Sequence, residues 1–339
     1  MMLKPGARVL VTGGAGYVGS ALVPRLLAEG YRVRVLDLYL FGDDVLDGVK
    51  PNPALEEIRG DLRDPAVVGR AVEQCDAVIH LACISNDPSF ELNPQLGRSI
   101  NFDAFEPLVR ASRRAGARRF IYASSSSVYG VSDAAEVAET HPLRPLTDYS
   151  KYKALCEPIL LAQAEDDFVP IVVRPATVCG FAPRQRLDLV VNILTNYAVN
   201  RGRITVFGGD QKRPNLHIQD MCDVYVLLLS LPDERVASRV FNVGGTNHSV
   251  KELATLVRDA VQERGFHDHI EIATAPTDDP RSYHICSDMI RREIGFVPRR
   301  TVADAIRDLC DAFRRGAVPD PLTTDRYYNI KMMQKRDLA

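Results

Sequence analysis

The sequence has no surplus of charge and no long apolar run. Its 42 lysine and arginine residues are matched by 44 aspartate and glutamate residues, so nothing indicates a nucleic-acid-binding surface. No stretch approaches the roughly 18 consecutive apolar residues of a membrane-spanning helix. No apolar signal segment precedes the first predicted strand. We therefore expect neither a nucleic-acid partner nor a membrane partner.

Cysteine is also scarce, and its spacing is irregular. The cysteines are odd in number and form no Cys-x-x-Cys pair, which favours reduced thiols in a cytoplasmic protein and no metal site: Cys75, Cys83, Cys156, Cys179, Cys222, Cys286 and Cys310. The rest of the composition is that of a globular protein, with 46% apolar and 25% charged residues. A chain of 339 residues supplies ample core for one large domain or two.

Short β-branched runs alternate with longer helical segments through the first half of the chain. The predicted strands are Arg8–Thr12, Arg32–Asp37, Leu55–Arg59, Ala77–Leu81, Arg118–Ala123 and Val169–Val173. The predicted helices lie near Gly16–Ala28, Pro65–Gln74, Asn93–Ala115 and Asp148–Ala164. This alternation, with nearly continuous apolar strands, is typical of an α/β protein with a Rossmann-type doubly wound parallel sheet.

Three glycines follow the first predicted strand. Gly13, Gly16 and Gly19 lie between that strand and a predicted helix, which is the context that makes a glycine pattern informative. Glycine permits a tight turn and a close approach of the backbone to a pyrophosphate at the helix N-terminus. Asp37 ends the second strand, 18 residues after Gly19, where a carboxylate accepts bonds from ribose hydroxyls and repels a 2′-phosphate. The pattern favours NAD over NADP as the cofactor.

Further cofactor contacts are expected where the strands end, because ligands of such sheets bind beyond the carboxyl ends. Asp61 closes the third strand, where its carboxylate could meet the adenine amino group. The other expected contacts belong to the glycine loop and to strand ends: Tyr17, Val18, Leu62, Leu81 and Ala82.

Near Pro175 the pattern changes to loops, turns and shorter helices. We predict a smaller, discontinuous α/β substrate lobe formed by about 176–217 and 247–316. The NAD-binding domain would then comprise residues 1–175 and about 218–246. The tail, residues 317–339, is interpreted either as a surface helix or frayed end, or as a subunit contact.

A tyrosine and a lysine lie one helical turn apart after a run of serines. Tyr149 and Lys153 therefore share one helix face, where the lysine charge lowers the pKa of the phenol and can bond the cofactor ribose. A serine at the end of the fifth strand can donate to the same substrate oxygen. Alone, a Tyr-x-x-x-Lys match means little; in this context it indicates proton removal from a hydroxyl coupled to hydride transfer.

These motifs together resemble the extended short-chain dehydrogenase/reductases, specifically the NAD-dependent nucleotide-sugar epimerase/dehydratase family. The resemblance extends from Arg8 to about Ala312. In that family the catalytic serine or threonine stands four residues before the tyrosine of a Val-Tyr-Gly motif. With Tyr129 as that tyrosine, the resemblance implies Ser125 as the catalytic serine, Tyr149 as the base and Lys153 as its lysine. It also implies a cofactor contact at Asn101.

The same resemblance implies a nucleotide-diphosphate sugar as the substrate. Arg213 matches the arginine that grips the diphosphate, although the motif around it departs from the family pattern. A second family arginine near residue 276 is missing, and Arg281, Arg184 or Arg186 could replace it. The remaining expected substrate contacts are polar residues near the strand ends and after the serine run: Ser85, Asn86, Ser126, Thr177 and Asn192.

The residues after Ser125 restrict the reaction. The 4,6-dehydratases of the family carry an acidic pair at this point, and the decarboxylases and 3,5-epimerases carry a glutamate or a cysteine. This chain has Ser126 and Ser127, which are too weak as acids or bases for those proton transfers. We expect an NDP-sugar 4-epimerase; a 4-dehydrogenase or 4-ketoreductase remains the alternative. A cofactor-binding scaffold without turnover is disfavoured because Ser125, Tyr149 and Lys153 are all present.

The resemblance also implies a homodimer. Helices 93–115 and 148–164 match the pair that relatives use for a four-helix interface. Leu155, Ile159 and Leu160 are the apolar side chains expected there.

Overall fold

A parallel sheet organises the chain in the computed structural model, which describes residues 2–132, 134, 136–277 and 282–336. The strands are β1 (Arg8–Thr12), β2 (Arg32–Asp37), β3 (Leu55–Arg59), β4 (Ala77–His80), β5 (Arg119–Ala123), β6 (Val169–Pro175), β7 (Thr177–Cys179), β8 (Arg203–Phe207), β9 (Lys212–His217), β10 (Arg239–Val243), β11 (Thr246–Ser249) and β12 (Glu271–Ala275). Within the described residues, seven of them form one sheet in the order β10-β6-β5-β4-β1-β2-β3, with every neighbouring pair parallel. The predicted doubly wound parallel sheet is confirmed.

Helices cover both faces of this sheet. They are α1 (Tyr17–Ala28), α2 (Pro65–Val72), α3 (Asp87–Leu92), α4 (Pro94–Arg98), α5 (Phe105–Arg114), α6 (Asp148–Leu161), α7 (Val190–Arg201), α8 (Ile218–Ser230), α9 (Asp233–Val236), α10 (Val250–Glu263), α11 (Asp288–Ile294), α12 (Val302–Arg314) and α13 (Asn329–Lys335). One core packs α1 and α8 against the sheet, and a second packs α2, α5 and α6 against its other face. Because all seven strands point the same way, their carboxyl ends share one edge.

The smaller strands and helices form a third core beside that edge. Helices α7, α10 and α12 pack with strand β8, whose partner is β12. A three-stranded sheet, β11-β9-β7, links this region to the main sheet. After β9 and α8 the chain returns to the main sheet, where strand β10 pairs with β6 at the edge. The division into two lobes at the boundaries given above stays a prediction.

The predicted helix 93–115 is interrupted. The Asn93 side chain accepts a hydrogen bond from Leu96 N (3.0 Å) and so begins the short helix α4. A π-helical turn, Ser99–Asp103, follows before α5. That turn places the buried Asn101 amide against the backbone of Ile84, donating to its carbonyl (2.9 Å) and accepting from its N–H (2.8 Å). The π-helical turn interrupts the helix at the point where the Asn101 side chain bonds to the loop after β4.

The tail forms a helix whose exposed positions alternate with positions packed on its own chain, and the predicted subunit contact stays a prediction. After a short turn, Asp325–Tyr327, helix α13 buries Met332 and Met333 against its own chain. Tyr327 packs beside Leu187 in a small apolar cluster. Among the residues that the structure describes, no helix combines the length and apolar composition that a membrane crossing requires.

A buried ion pair connects helix α6 to strands β5 and β6. Glu157 and Arg174 form a bidentate pair in which both side chains are under a tenth exposed. Glu157 also accepts a hydrogen bond from the Ser124 hydroxyl (2.6 Å), and Arg174 donates to the Tyr129 hydroxyl (2.7 Å). Strand ends and helix are thus joined at one buried point.

Removing the arginine of this pair should destabilise the fold strongly. In Arg174→Leu the Glu157 carboxylate is left buried without its cation, so we expect a loss of about 3–5 kcal/mol in the free energy of unfolding. The measurement is chemical denaturation followed by circular dichroism. The exposed pair of Arg110 and Glu106 provides the control, and Arg110→Ala should cost less than about 1 kcal/mol. Equal losses in the two variants would contradict this account.

Candidate active site

A cleft of about 620 Å³ opens at the carboxyl edge of the main sheet. It runs from the glycine loop, past the end of β4, to the serine run and the first turn of α6. The far wall comes from the segment around α7 and from β8 and β9. The cleft therefore lies where a doubly wound sheet binds its ligands.

The glycine loop begins this cleft, and two of its glycines tolerate no side chain. Gly13 has a φ of +75°, and a Cβ there would stand 2.6 Å from Ala82 N. A Cβ on Gly19 would stand 2.4 Å from the carbonyl oxygen of Gly13. The close approach of loop and helix leaves the first turn of α1 open to a phosphate group. The expected loop contacts Gly13, Gly16, Tyr17, Val18 and Gly19 all line the cleft.

Asp37 stands at one end of the cleft. Its carboxylate accepts hydrogen bonds from Ala15 N (2.9 Å) and Tyr39 N (2.8 Å), which fix the side chain beside the loop. A carboxylate so placed suits the ribose diol that the sequence pattern predicts.

At the other end, β5 and α6 bring the three expected catalytic residues together. Thr147 caps α6 by accepting a hydrogen bond from Ser150 N, and Tyr149 and Lys153 lie in its first two turns. The buried Lys153 ammonium donates to the Ala123 carbonyl at the end of β5 (2.7 Å). Its nitrogen lies 5.9 Å from the centre of the Tyr149 ring. Ser125 follows β5, and all three side chains line the cleft.

Hydroxyl groups orient Ser125. Its oxygen lies 2.8 Å from the Ser127 hydroxyl, and the Ser127 oxygen accepts a hydrogen bond from the Ser150 hydroxyl (2.7 Å). Ser150 in turn contacts the Thr147 hydroxyl (3.1 Å). Sequence reasoning missed this supporting chain, although Ser127 stands in the serine run that located Ser125.

The Tyr149 phenol is held mainly in its neutral form by its surroundings. Burial raises its pKa well above the usual value, and Cys83 and Asp87 add to the effect. The charge of Arg186 opposes this rise and lowers the pKa. The sequence analysis predicted that Lys153 and the cofactor would lower the pKa of Tyr149. Arg186 is an additional cation, and its place near the tyrosine could not be predicted from sequence spacing. The Tyr149 proton is therefore sensitive to nearby positive charge.

Most of the other predicted contacts also face the cleft. They are the cofactor candidates Leu62, Leu81 and Ala82 and the substrate candidates Ser85, Asn86, Ser126, Thr177, Arg184 and Arg213. Arg184 lies close enough to Asp37 for its charge to oppose the rise that burial causes in the pKa of the Asp37 carboxyl. Arg213 lies on β9, with its guanidinium 5.3 Å from the centre of the Tyr283 ring.

Three predicted contacts lie outside the cleft lining, and a fourth is not described. Asp61 pairs with Arg63 (2.6 Å). Asn101 is occupied with the Ile84 backbone, as described above, so it supports the loop after β4. The fully buried Asn192 accepts from Gly180 N (3.1 Å) and donates to the Tyr17 hydroxyl (3.1 Å). Asn101 and Asn192 therefore brace the walls from behind. Arg281 lies outside the described residues.

The family follows from a comparison with known sequences. The sequence model of the NAD dependent epimerase/dehydratase family matches residues 9–244, well over half of the chain. The chain belongs to this family.

Relatives of similar identity carry different activities. A UDP-glucose 4-epimerase of Mycolicibacterium smegmatis is 31% identical, over 91% of this chain and 98% of the relative. A dTDP-glucose 4,6-dehydratase of Streptomyces niveus is 28% identical, over 91% and 93%. The solved UDP-glucose 4-epimerase of Thermus thermophilus, in complex with NAD, superposes with a TM-score of 0.78 at 28% identity, covering 91% of this chain and 99% of that one. The comparisons therefore establish an enzyme family rather than one reaction.

The cofactor of this family member is NAD, and the cleft fits it. The loop at Gly13 and Gly19 has room only for backbone, and Asp37 presents a fixed carboxylate. When bound, NAD supplies the acceptor for a hydride from a substrate carbon. We expect the protein to supply the glycine loop for the diphosphate, Asp37 for the ribose and, at the far end, Tyr149 and Lys153 for the proton.

A side chain at Gly19 should weaken cofactor binding. In Gly19→Ala the new methyl group would collide with the Gly13 carbonyl, so the loop must move and we expect at least a tenfold weaker affinity for NAD, or about 1.4 kcal/mol. Isothermal titration calorimetry measures the affinity of each variant for NAD. Gly69 lies in α2 with open space around the equivalent position, so Gly69→Ala should bind NAD as the parent does. Unchanged affinity in Gly19→Ala would show that the loop does not hold the cofactor.

Proposed function

We propose that the protein is an NAD-dependent nucleotide-sugar 4-epimerase that acts through a transient 4-keto sugar. Ser125, Tyr149 and Lys153 meet in one cleft with the glycine loop, which suits oxidation and reduction at a single carbinol. Ser126 and Ser127 stand where relatives with additional proton chemistry carry acids or a thiol.

The observation that carries this proposal is the state of the acidic residues in the cleft. Among the described residues that line it, the acids are Asp37, Asp87 and Asp188. Asp37 is bonded to backbone N–H groups, and Asp188 pairs with Arg186 (2.9 Å). Asp87 begins α3 and accepts a hydrogen bond from the Thr147 hydroxyl. Each carboxylate is engaged by the protein, which disfavours dehydration, a reaction that needs additional acid and base groups at the sugar.

The proposed proton transfer follows from the geometry around Tyr149. Ser125 would hold the C4 oxygen while the phenolate of Tyr149 takes the hydroxyl proton. Lys153, fixed by the Ala123 carbonyl, would favour the phenolate through its charge, as would Arg186. In the second half of the reaction the same tyrosine would return the proton to the oxygen. No net release of a proton is required, because the sugar regains both the proton and the hydride that it lost.

A 4-dehydrogenase or 4-ketoreductase would use the same three residues. It would differ in exchanging the cofactor at each turnover, whereas an epimerase regenerates NAD on the enzyme. The test must therefore be made without added cofactor.

The deciding experiment is NMR of the products after the purified protein is incubated with UDP-, GDP-, dTDP- and CDP-sugars. We expect one sugar to give its C4 epimer over many turnovers with no NAD added. Tyr149→Phe should lower the rate by roughly a thousandfold, because positioned acid–base catalysis typically contributes on the order of 10²–10⁴. Conversion limited to one equivalent of enzyme would favour the dehydrogenase or ketoreductase, and a Tyr149→Phe variant of full activity would contradict the catalytic assignment.

We also propose a homodimer through the surfaces of α5 and α6. Leu155 on α6 is 42% exposed, and Ile159 lies partly exposed on the same helix. The expected contribution of Leu160 is wrong, because that side chain is fully buried in its own core.

A charge on the proposed interface should dissociate the dimer. Leu155→Glu should shift sedimentation at micromolar concentration from dimer to monomer, since it would bury an unpaired carboxylate. Val297→Glu, at an exposed position outside these helices, serves as the control. A parent protein that sediments only as a monomer would overturn the dimer.

A further inference from the structure

Two arginines lie buried in the wall of the cleft, in the segment 180–189 between β7 and α7. Arg184 is 2% exposed and Arg186 is 8% exposed, and both line the cleft. Among the described residues, Nε and Nη1 of Arg184 and Nη2 of Arg186 find no hydrogen-bond partner. Buried charged N–H groups without an acceptor are costly. Their presence in a ligand cleft points to an anion that accepts from them.

The positions of the two arginines indicate which anion. Arg184 lies over the Phe41 ring at 3.6 Å, and its backbone N–H donates to the Ser20 hydroxyl of α1 (3.0 Å). It thus stands beside the first turns of α1, near Asp37, at the ribose end of the cleft.

Arg186 stands further along, towards the catalytic end. It donates to Asp188 (2.9 Å) and to the Ser85 hydroxyl (3.2 Å) after β4, and its charge opposes the rise that burial causes in the pKa of both Tyr149 and Tyr17. The pair therefore spans the stretch between the ribose carboxylate and the catalytic tyrosine. In a dinucleotide, the group between its two ends is the diphosphate.

The electrostatics of the pair support an anionic ligand. Burial, together with the neighbouring charge of Arg186, lowers the pKa of the Arg184 guanidinium to about 9. Asp188 is the carboxylate bonded to Arg186, so one guanidinium remains without a bonded carboxylate among the described residues. A ligand diphosphate would relieve this repulsion and restore the ordinary pKa.

The C-terminal strap, residues 325–335, holds this wall in place. The Asn329 side chain, 4% exposed, accepts a hydrogen bond from Arg184 Nη2 and donates to the Ser85 hydroxyl (2.8 Å). Its backbone N–H donates to Asp188 (3.0 Å). One residue of the strap thus joins the arginine segment to the loop after β4, on the two sides of the cleft.

A second contact anchors the strap across the cleft. Arg326 forms a bidentate pair with Asp44 (2.8 and 2.9 Å), in the loop after β2. The next carbonyl, of Tyr327, accepts from Leu187 N (2.9 Å) in the arginine segment. The strap therefore ties the loops after β2 and β4 to the opposite wall.

We propose that Arg184 and Arg186 clamp the diphosphate of NAD against the glycine loop, and that the C-terminal strap locks this clamp so that NAD stays bound between turnovers. The inference deepens the proposed epimerase, which must retain its cofactor, but it rests only on NAD binding. The strap would have to detach from Ser85 and Arg184 before the cofactor could leave.

The test measures release of radiolabelled NAD from the loaded protein into an excess of unlabelled NAD, with no sugar present. Asn329→Ala removes the lock without removing a charge, and we expect about tenfold faster release. Arg184→Met should release NAD faster still and should be purified with less NAD bound. Gln334→Ala, at an exposed position of the same helix, should release NAD at the parent rate. Thermal melting of each variant checks folding.

A second arm identifies the anion, because the substrate also carries a diphosphate. Affinity for UDP is measured by calorimetry on the NAD-loaded proteins. Faster NAD release with unchanged UDP affinity supports the clamp. Weaker UDP binding with unchanged NAD release would assign the arginines to the sugar nucleotide and overturn the proposal, as would no change in either quantity.

Two safeguards keep this test decisive. If Arg184→Met fails to fold, Arg326→Ala opens the strap at its exposed anchor and should also speed NAD release; parent-like release there would overturn the strap. The readout needs no turnover, so a protein that epimerises no sugar could still confirm the clamp. Conversely, an active epimerase with rapid NAD release would refute the clamp alone.

Discussion

The buried pair of Glu157 and Arg174 is the interaction on which the site depends. Glu157 lies on the same face of α6 as Tyr149 and Lys153, one further turn along, and its carboxylate also holds the Ser124 hydroxyl. The end of β5, the end of β6 and the catalytic helix are thereby fixed to one another. A buried charge that needs its partner leaves little freedom for that helix, so the distances among serine, tyrosine and lysine follow from the core.

The two sides of the cleft differ in the groups that they present to a ligand. The glycine loop presents backbone and the first turn of α1, while the facing wall presents Arg184 and Arg186, buried and incompletely bonded. The same wall affects the chemistry, because the charge of Arg186 lowers the pKa of Tyr149 against the rise that burial causes. If NAD is held as proposed, cofactor binding and proton transfer would be coupled through Arg186, and Asn329 would connect the arginine wall to the tail.

Local sequence predicted the sheet and the catalytic helix because their signals are short in range: apolar strands, a glycine turn, a tyrosine and a lysine one turn apart. The helix interruption before Asn101 was missed, since its cause is a contact with Ile84 made only in the folded chain. For the same reason spacing did not show that the Asn192 side chain bonds to Tyr17, or that Asn329 bonds to the loop after β4. Long-range hydrogen bonds leave no periodicity in a sequence.

The central claim is that one bound NAD serves both halves of the reaction. The most direct test mixes the protein's sugar substrate deuterated at C4 with the same sugar labelled by ¹³C and undeuterated, then examines the epimers by mass spectrometry. The account predicts that deuterium stays at C4 of the molecules that carried it, with no transfer to the ¹³C-labelled sugar. Deuterium lost to the free reduced cofactor would show that the cofactor exchanges. Deuterium found in the ¹³C-labelled epimer would show that the keto sugar or the cofactor leaves between the two hydride transfers, and either result would contradict the account.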